Sequence, residues 1–261
     1  MKTLIFADVH LKAGPSGEET LKDFTDFLRQ IDPAEFDRAI ILGDLFDFWF
    51  EYKHVIFSVY FDVLRAFADL QERGMTFHLV CGNHDFWAGR FLEDYIGFTV
   101  HRDRYSCRLG DRRALFVHGD GTNPSDRGYR LFRSLARSPL AIGLFRLLHP
   151  DWAMGLAQKV SHASRRLKSP DNPSQSVEVK AMREFAKNLL ESGEANVVFC
   201  GHTHYAVEEE IPTPDGPGLY INTGDWMLHR TYLEWDGNEY RRKFFGLQSA
   251  SDSEQSLHEG Q

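Results

Sequence analysis

Residues 4–10 read Leu4-Ile5-Phe6-Ala7-Asp8-Val9-His10: an apolar run, then a carboxylate and an imidazole two positions apart. A short apolar run that stops abruptly at polar residues fits a strand buried on both faces. The same form recurs along the chain. Ala39-Ile40-Ile41-Leu42 stops at Gly43-Asp44, and Phe77-His78-Leu79-Val80 stops at Gly82-Asn83-His84-Asp85. Ala114-Leu115-Phe116-Val117 stops at His118-Gly119-Asp120, and Asn196-Val197-Val198-Phe199 stops at Gly201-His202-Thr203-His204. Helical periodicity lies between several of these runs, over Thr20–Ile31, Val55–Leu70 and Val177–Leu190. Strand, loop, helix, strand predicts an α/β fold. Ligands in such folds gather outside the carboxyl ends of strands, so the polar clusters can share one rim. After His204 the pattern turns to short strands, 206–211, 219–221, 231–235 and 239–245, with Pro212–Gly218 as a turn.

The clusters hold Asp8, His10, Asp44, Asn83, His84, Asp85, His118, Asp120, His202 and His204. In extended backbone, residues two apart point the same way, so Asp8 with His10, and His202 with His204, can each face one ion. Carboxylate, amide oxygen and imidazole without thiolate suit Mn, Fe, Mg or Zn and argue against a structural cysteine-zinc site. The candidate ligands are too many for one tetrahedral ion and suit two ions sharing a carboxylate bridge. Such a pair, about 3.5–4 Å apart, can generate a hydroxide and clamp an in-line displacement at phosphorus. A lone strand-end Asp is ordinarily a turn or helix cap. Clusters at every strand end argue instead for one site. Asp47 and Asp120 fit either a supporting role behind a ligand or a cap.

The chain has 261 residues, 42% hydrophobic and 26% charged, enough for one large domain with a sizeable core. The formal net charge of −8 argues against a general nucleic-acid binder. No run reaches the roughly 20 apolar residues of a membrane span. Met1–Phe6 leads into the first cluster without the pattern of a secretory signal. The cysteines, Cys81, Cys107 and Cys200, have no CxxC spacing, which fits a reducing cytosol. One segment departs from the whole. Arg127–Lys168 holds nine Lys and Arg against a single acid, Asp151, a net +8 that leaves −16 for the rest. It is also apolar, with Leu131, Phe132, Leu135, Leu140, Leu144, Phe145 and Trp152, and Pro139 and Pro150 divide it into expected helices at about 126–137, 140–148 and 152–168. Such helices can lie on an anionic membrane surface or hold a lipid. The alternative is that they pack on the core with their bases solvated, but the nine-to-one charge imbalance favours anion contact. Nucleic acid could use the same bases, though Leu and Phe suit lipid better. From about Gln248 the chain is polar and Ser-rich and should fray.

The five clusters, in this order and at strand ends, resemble the calcineurin-like metallophosphoesterase superfamily from Asp8 to His204. The resemblance implies a four-layer αββα sandwich with two metals between its sheets. Asp8, His10, Asp44 and His204 would hold one ion; Asp44 as bridge, with Asn83, His118 and His202, would hold the other. His84 would stabilise or protonate charge on the substrate phosphate, and Asp85 would orient His84. The domain would span 1–247 with a helical insertion at about 127–168, leaving 248–261 as a disordered tail.

Gly43-Asp44-Leu45-Phe46-Asp47-Phe48-Trp49, then His118-Gly119-Asp120 followed by Asp126, Gly128, Tyr129, Phe132, Arg133 and a basic helical insertion, are similar to a narrower family: the UDP-2,3-diacylglucosamine diphosphatases of the lipid A pathway. That likeness implies hydrolysis of the pyrophosphate of UDP-2,3-diacylglucosamine to UMP and 2,3-diacylglucosamine 1-phosphate. It implies a Mn-dependent enzyme, cytoplasmic and peripheral to the inner membrane, with a helical cap over the acyl chains. Asp126, Tyr129 and Arg133 become candidate substrate contacts, as do Lys159, Arg165 and Arg166. One position departs. Familiar members read Gly-Asn-Arg-Asp where this chain reads Gly82-Asn83-His84-Asp85. That leaves open a paralogue acting on another nucleotide, nucleic-acid or lipid phosphodiester or pyrophosphate. A scaffold without catalysis is the remaining alternative, disfavoured because every ligand position is filled.

Overall fold

In the computed structural model, which describes residues 2–156, 159 and 173–246, the strands form two sheets. The first contains β1 (Lys2–Phe6), β2 (Phe36–Ile41), β3 (Thr76–Val80) and β4 (Phe98–His101), side by side and parallel. The second is built on β5 (Arg104–Leu109), β6 (Arg112–Val117), β7 (Val197–Cys200), β8 (Val207–Thr213) and β9 (Gly216–Asn222), in the order β5-β6-β7-β9-β8. Strands β10 (Thr231–Trp235) and β11 (Tyr240–Phe244) return to the first sheet, where β10 pairs antiparallel with β1. The helices are α1 (Glu18–Gln30), α2 (Phe61–Glu72), α3 (Arg127–Ala136), α4 (Pro139–Phe145) and α5 (Val177–Glu191); residues 150–156 are also helical.

Why the strands are apolar throughout is visible in their alternation. Leu4 and Phe6 turn to one side, into a core with Phe24 and Phe27 of α1 and Phe67 of α2. Ile5 and Ala7 turn to the other side, against Phe116, Phe199 and Leu219 of the second sheet. The next strand repeats this, with Ala39 and Ile41 on the helical side and Ile40 and Leu42 between the sheets. The second sheet's outer face, with Leu115, Val117, Val198 and Cys200, packs on Met182, Ala186 and Leu190 of α5. The result is a four-layer αββα sandwich, its central layer closed by a parallel Phe116–Phe199 stack at 4.8 Å. Each such buried Phe contributes roughly 1.5–3 kcal/mol.

Four details differ from the sequence reading. Helix α2 begins at Phe61, after a 3-10 turn at Ser58–Tyr60 whose tyrosine hydroxyl donates to the Leu11 carbonyl at 3.1 Å. The proline-rich turn is shorter than expected, because Pro212 and Thr213 pair with Pro217 and Gly216 to make a hairpin of β8 and β9. Strands β4 and β5 were not expected at all. The basic insertion forms α3, α4 and the helical residues 150–156, while the expected continuation through 168 and the tail at 248–261 lie outside the described residues.

Candidate metal centre and adjoining cleft

β1, β2 and β3 are parallel neighbours in one sheet, and β6 and β7 are parallel neighbours in the other. Their carboxyl ends therefore open on one rim, with Asp8, Asp44, Asn83, His118 and His202 in the loops just beyond. The loops are not extended. Among the described residues, six non-glycine residues have left-handed φ, and five of them are Asp8 (54°), His10 (49°), Asp44 (50°), His202 (66°) and His204 (56°). The idea that an extended backbone aligns Asp8 with His10, and His202 with His204, is thus corrected: each side chain is turned inward by a left-handed kink, at a cost of roughly 1–3 kcal/mol per residue. Two glycines permit the crowding. A Cβ on Gly43 would meet the Gly82 nitrogen at 2.6 Å and His118 Nδ1 at 2.7 Å; one on Gly82 would meet Asp44 Oδ1 at 2.1 Å.

The side chains fall into two groups that meet at Asp44. In the first, His10 Nε2 and His204 Nε2 face each other at 3.3 Å. They lie 3.8 and 3.5 Å from Asp8 Oδ1, a buried oxygen without a hydrogen-bond partner. In the second, His118 Nε2 approaches His202 Nδ1 at 3.1 Å and Asn83 Oδ1 at 3.3 Å. Asp44 Oδ2 stands between them, 3.7 Å from His10 Nε2 and 3.4 Å from His118 Nε2. Burial, with His10 as the second cause, lowers the His204 imidazole to about 4, and burial also lowers His10. Burial raises the Asp8 carboxyl well above its ordinary range. Burial alone would lower His118 too, but the Asp44 carboxylate, helped by Asp8 and Asp120, holds it near 10. Neutral imidazoles converging on an unsatisfied buried carboxylate oxygen fit a divalent cation, which satisfies all of them at once. All seven residues expected as ligands are brought together here.

Supporting residues surround these groups. Asp8 Oδ2 accepts the His202 N–H at 2.8 Å, and Asp44 Oδ1 accepts the His84 N–H at 2.9 Å, so the loops are laced together. His118 donates Nδ1–H to the Leu42 carbonyl at 2.7 Å. His84 donates Nδ1–H to the Asp47 carbonyl at 2.7 Å and carries Nε2 to 3.9 Å from Asp44 Oδ2. Asp47 also brings Oδ1 to 3.5 Å from His10 Nδ1, the supporting role rather than the cap. Asp85 does not orient His84, contrary to the expectation. Its oxygens accept the N–H groups of Leu45 and Gly82 at 2.8 Å each, so it pins the Asp44 loop to its own, and burial pushes its carboxyl up to about 6. Two residues escaped the sequence reading. Asp225, buried in the loop after β9, places Oδ2 4.0 Å behind His204 Nδ1 and 2.9 Å from His229 Nδ1. Asn222 donates Nδ2–H to the Gly201 carbonyl at 2.8 Å and to Thr203 Oγ1 at 3.1 Å, holding the His202 loop. The signal was a Gly224-Asp225 pair closing a strand, the same form as Gly43-Asp44.

Beyond Phe86 and Trp87, which follow His84 and Asp85 in the chain, lies a cleft of about 1850 Å³, walled by Phe50, Phe86 and Trp87 on one side and by α3 and α4 on the other; the candidate ligands themselves do not line it. Cations crowd it, among them Arg90, Arg102, Arg127, Arg130, Arg137 and Arg146. Arg133 lines it too, with Nε on Asp120 Oδ2 at 2.6 Å and Nη2 on Asp103 at 3.2 Å. Asp126 caps α3, its Oδ1 accepting the Tyr129 N–H at 2.9 Å, and both residues border a small hollow beside His202. Lys159 is exposed; Arg165 and Arg166 lie outside the described residues. Neither α3 nor α4 buries a residue, and Leu140, Leu147 and Trp152 are 74%, 81% and 74% exposed. Part of the insertion packs inward, since Phe145 lies against the rings of Phe50 and Trp87 at 4.8 and 5.6 Å and Met154 packs on the core, while Leu131, Leu135, Leu140 and Leu144 stay exposed.

A UDP-2,3-diacylglucosamine hydrolase of Porphyromonas gingivalis is 31% identical to this chain over 209 residues, covering 75% of this chain and 79% of that protein. One from Stutzerimonas stutzeri is 27% identical over 247 residues, 94% and 99% of the two chains. A solved dimetal phosphatase from Danio rerio aligns over 94% of this chain and 99% of its own, at 12% identity and a TM-score of 0.46. Residues 1–206 match the calcineurin-like phosphoesterase family. That span contains every strand-end block meeting at Asp44, and the chain belongs to this family, whose members use a dimetal centre.

Proposed function

We propose that this chain hydrolyses the pyrophosphate of UDP-2,3-diacylglucosamine, releasing UMP and 2,3-diacylglucosamine 1-phosphate, at the cytoplasmic face of the membrane. The observation that carries this reading is the pairing of a histidine–carboxylate centre with a cleft that is cationic inside, under helices whose leucines face outward. A nucleotide-linked acyl sugar needs both: arginines for phosphates and apolar surface for chains, at about 0.8 kcal/mol per buried methylene. The name shared by the relatives agrees.

In this reading Asp8, His10, Asp44 and His204 hold one ion, and Asp44, Asn83, His118 and His202 hold the second. The donor set accepts Mn, Fe, Mg or Zn, and the likeness to the UDP-2,3-diacylglucosamine diphosphatases points to Mn(II). When bound, the pair supplies Lewis-acid charge at the phosphoryl oxygens and acidifies a water. The Leu42 carbonyl fixes His118 with its Nε2 lone pair toward the site. The Asp47 carbonyl occupies His84 Nδ1–H, so Nε2 is the atom that meets the substrate, and it donates a proton only in the charged imidazolium form. Asp85 holds the loops in register. Arg133, Lys159, Arg165 and Arg166 serve the phosphate and sugar. Asp126 has Oδ2 left for a sugar hydroxyl, and Tyr129 stands beside it. The outward leucines of α3 and α4, with the +8 charge of the insertion, seat the protein on anionic lipid.

His84, where familiar relatives of this specificity carry arginine, favours a second reading: a different nucleotide- or lipid-linked pyrophosphate. Mass spectrometry of products from a panel of UDP-linked and lipid-linked pyrophosphates separates the two. UMP with the acyl-sugar phosphate is the expected outcome. Cleavage of another member alone would replace the substrate while leaving the dimetal chemistry in place.

A further inference from the structure

Helix α3 is held by charge on the face that hydrophobic contact ordinarily serves. Tyr129, Arg133 and Arg137, four residues apart, engage the body of the molecule, whereas Leu131, Phe132 and Leu135 are 60% exposed or more. One oxygen gathers this face. Asp120 Oδ2 accepts from Tyr129 Oη at 3.1 Å, Arg133 Nε at 2.6 Å and Arg137 Nη2 at 3.2 Å. The Asp120 side chain is 3% exposed and stands on the loop that carries His118. Asp103 binds the same arginines at 3.2 Å each but is 72% exposed, where water weakens ion pairs. Arg137 also lies 4.3 Å over the ring of Phe86, in the loop that carries His84. Both loops are thus tied to α3 through one buried carboxylate and one guanidinium.

We propose that Asp120 is a positioning residue: it sets α3 at a fixed distance from the His84 and His118 loops, so that Tyr129 and Arg133 meet the sugar-phosphate end of a lipid-linked substrate, and it thereby selects such substrates over small phosphodiesters. This rests on the reading of the cleft as the substrate site. Asparagine keeps the shape of Asp120 but cannot neutralise two guanidinium groups. Helix α3 has no buried apolar face to replace the lost anchor.

The test uses the full-length, Mn-loaded protein with Asp120→Asn, Arg137→Gln and the double variant. Three quantities are read: kcat and KM on the UDP-linked diacyl sugar, turnover of bis(p-nitrophenyl) phosphate, and amide exchange of residues 127–136. Asp120→Asn should lower kcat/KM on the acyl sugar about 10- to 100-fold, mostly through KM. The aryl diester and the metal content should stay near wild type, exchange in α3 should quicken, and the double variant should lose less than the product of the single losses. Parallel loss of metal and of aryl diester turnover would assign Asp120 to the support of His118 and overturn the proposal. Unchanged exchange with unchanged kcat/KM would overturn it as well. A wild type inert toward the acyl sugar would refute the substrate reading by itself, and the exchange measurement would still decide whether Asp120 anchors α3.

Discussion

His84 and His118 each spend Nδ1–H on a backbone carbonyl at 2.7 Å, and this leaves Nε2 as the working atom of both. They differ in depth. His118 is buried among the carboxylates of Asp44, Asp8 and Asp120, whereas the His84 side chain is 19% exposed at the edge of the centre. The geometry suits His118 as a ligand and His84 as the group that meets phosphate. Accordingly, His84→Ala should lower kcat by about 10²–10⁴-fold, with metal content measured by plasma emission unchanged. Equal loss of metal and turnover would make His84 a ligand, as its place in a group with His10 and Asp44 permits. Asp225 acts from behind His204. Replacing it with Asn should weaken metal binding about 10- to 100-fold, read by competition with a chelating dye; unchanged affinity would mean that Asn222 and the loop alone aim His204. The ligands themselves were legible from residue type and strand-end position. Their left-handed backbone was not, because Asp and His carry no signal for such a φ comparable to that of glycine.

The elements that read most clearly were those with one uninterrupted pattern. The apolar runs of β1, β2, β3, β6 and β7, buried on both faces, could be placed from hydropathy alone. Strand β5 could not, because Arg104, Ser106 and Arg108 alternate with Tyr105 and Cys107 and form no apolar run. That strand nevertheless joins the sheets. Tyr105 stacks on His78 of β3 at 4.4 Å, and His78 Nδ1 lies 3.1 Å from His101 Nε2 of β4. Burial, then His101 and Arg38, lower the His78 imidazole to about 4 from an ordinary value of 6.5. The unfolded chain therefore takes up the proton first as pH falls. The stability from neutral His78 is complete above about 6.5 and is lost progressively toward 4. The melting temperature should fall through that window, and His78→Gln should flatten the slope; an unaltered slope would exclude His78 as its source. For α4, Leu140→Asp with Leu144→Asp should change stability by no more than about 0.5 kcal/mol per site, since both are exposed. The same variant should lose sedimentation with anionic phospholipid vesicles. Retained binding would place membrane contact elsewhere.

Across the whole molecule the charge is divided as the architecture is. The insertion carries +8 and the remainder −16, so the net −8 conceals a charge segregated along the sequence. Among the described residues no helix is long and apolar enough to cross a membrane. The two sheets press Ile5, Ile40, Val80, Phe116 and Phe199 into one dry layer. At its open end the same strands deliver buried carboxylates and imidazoles, among them an Asp8 oxygen without a hydrogen-bond partner. This is where the account is most exposed to test. Anomalous diffraction from Mn-loaded crystals should show two peaks about 3.5–4 Å apart, one on each side of Asp44 Oδ2. Density for a single ion, or for none within reach of Asp44, would contradict a dimetal centre and the hydrolysis built on it.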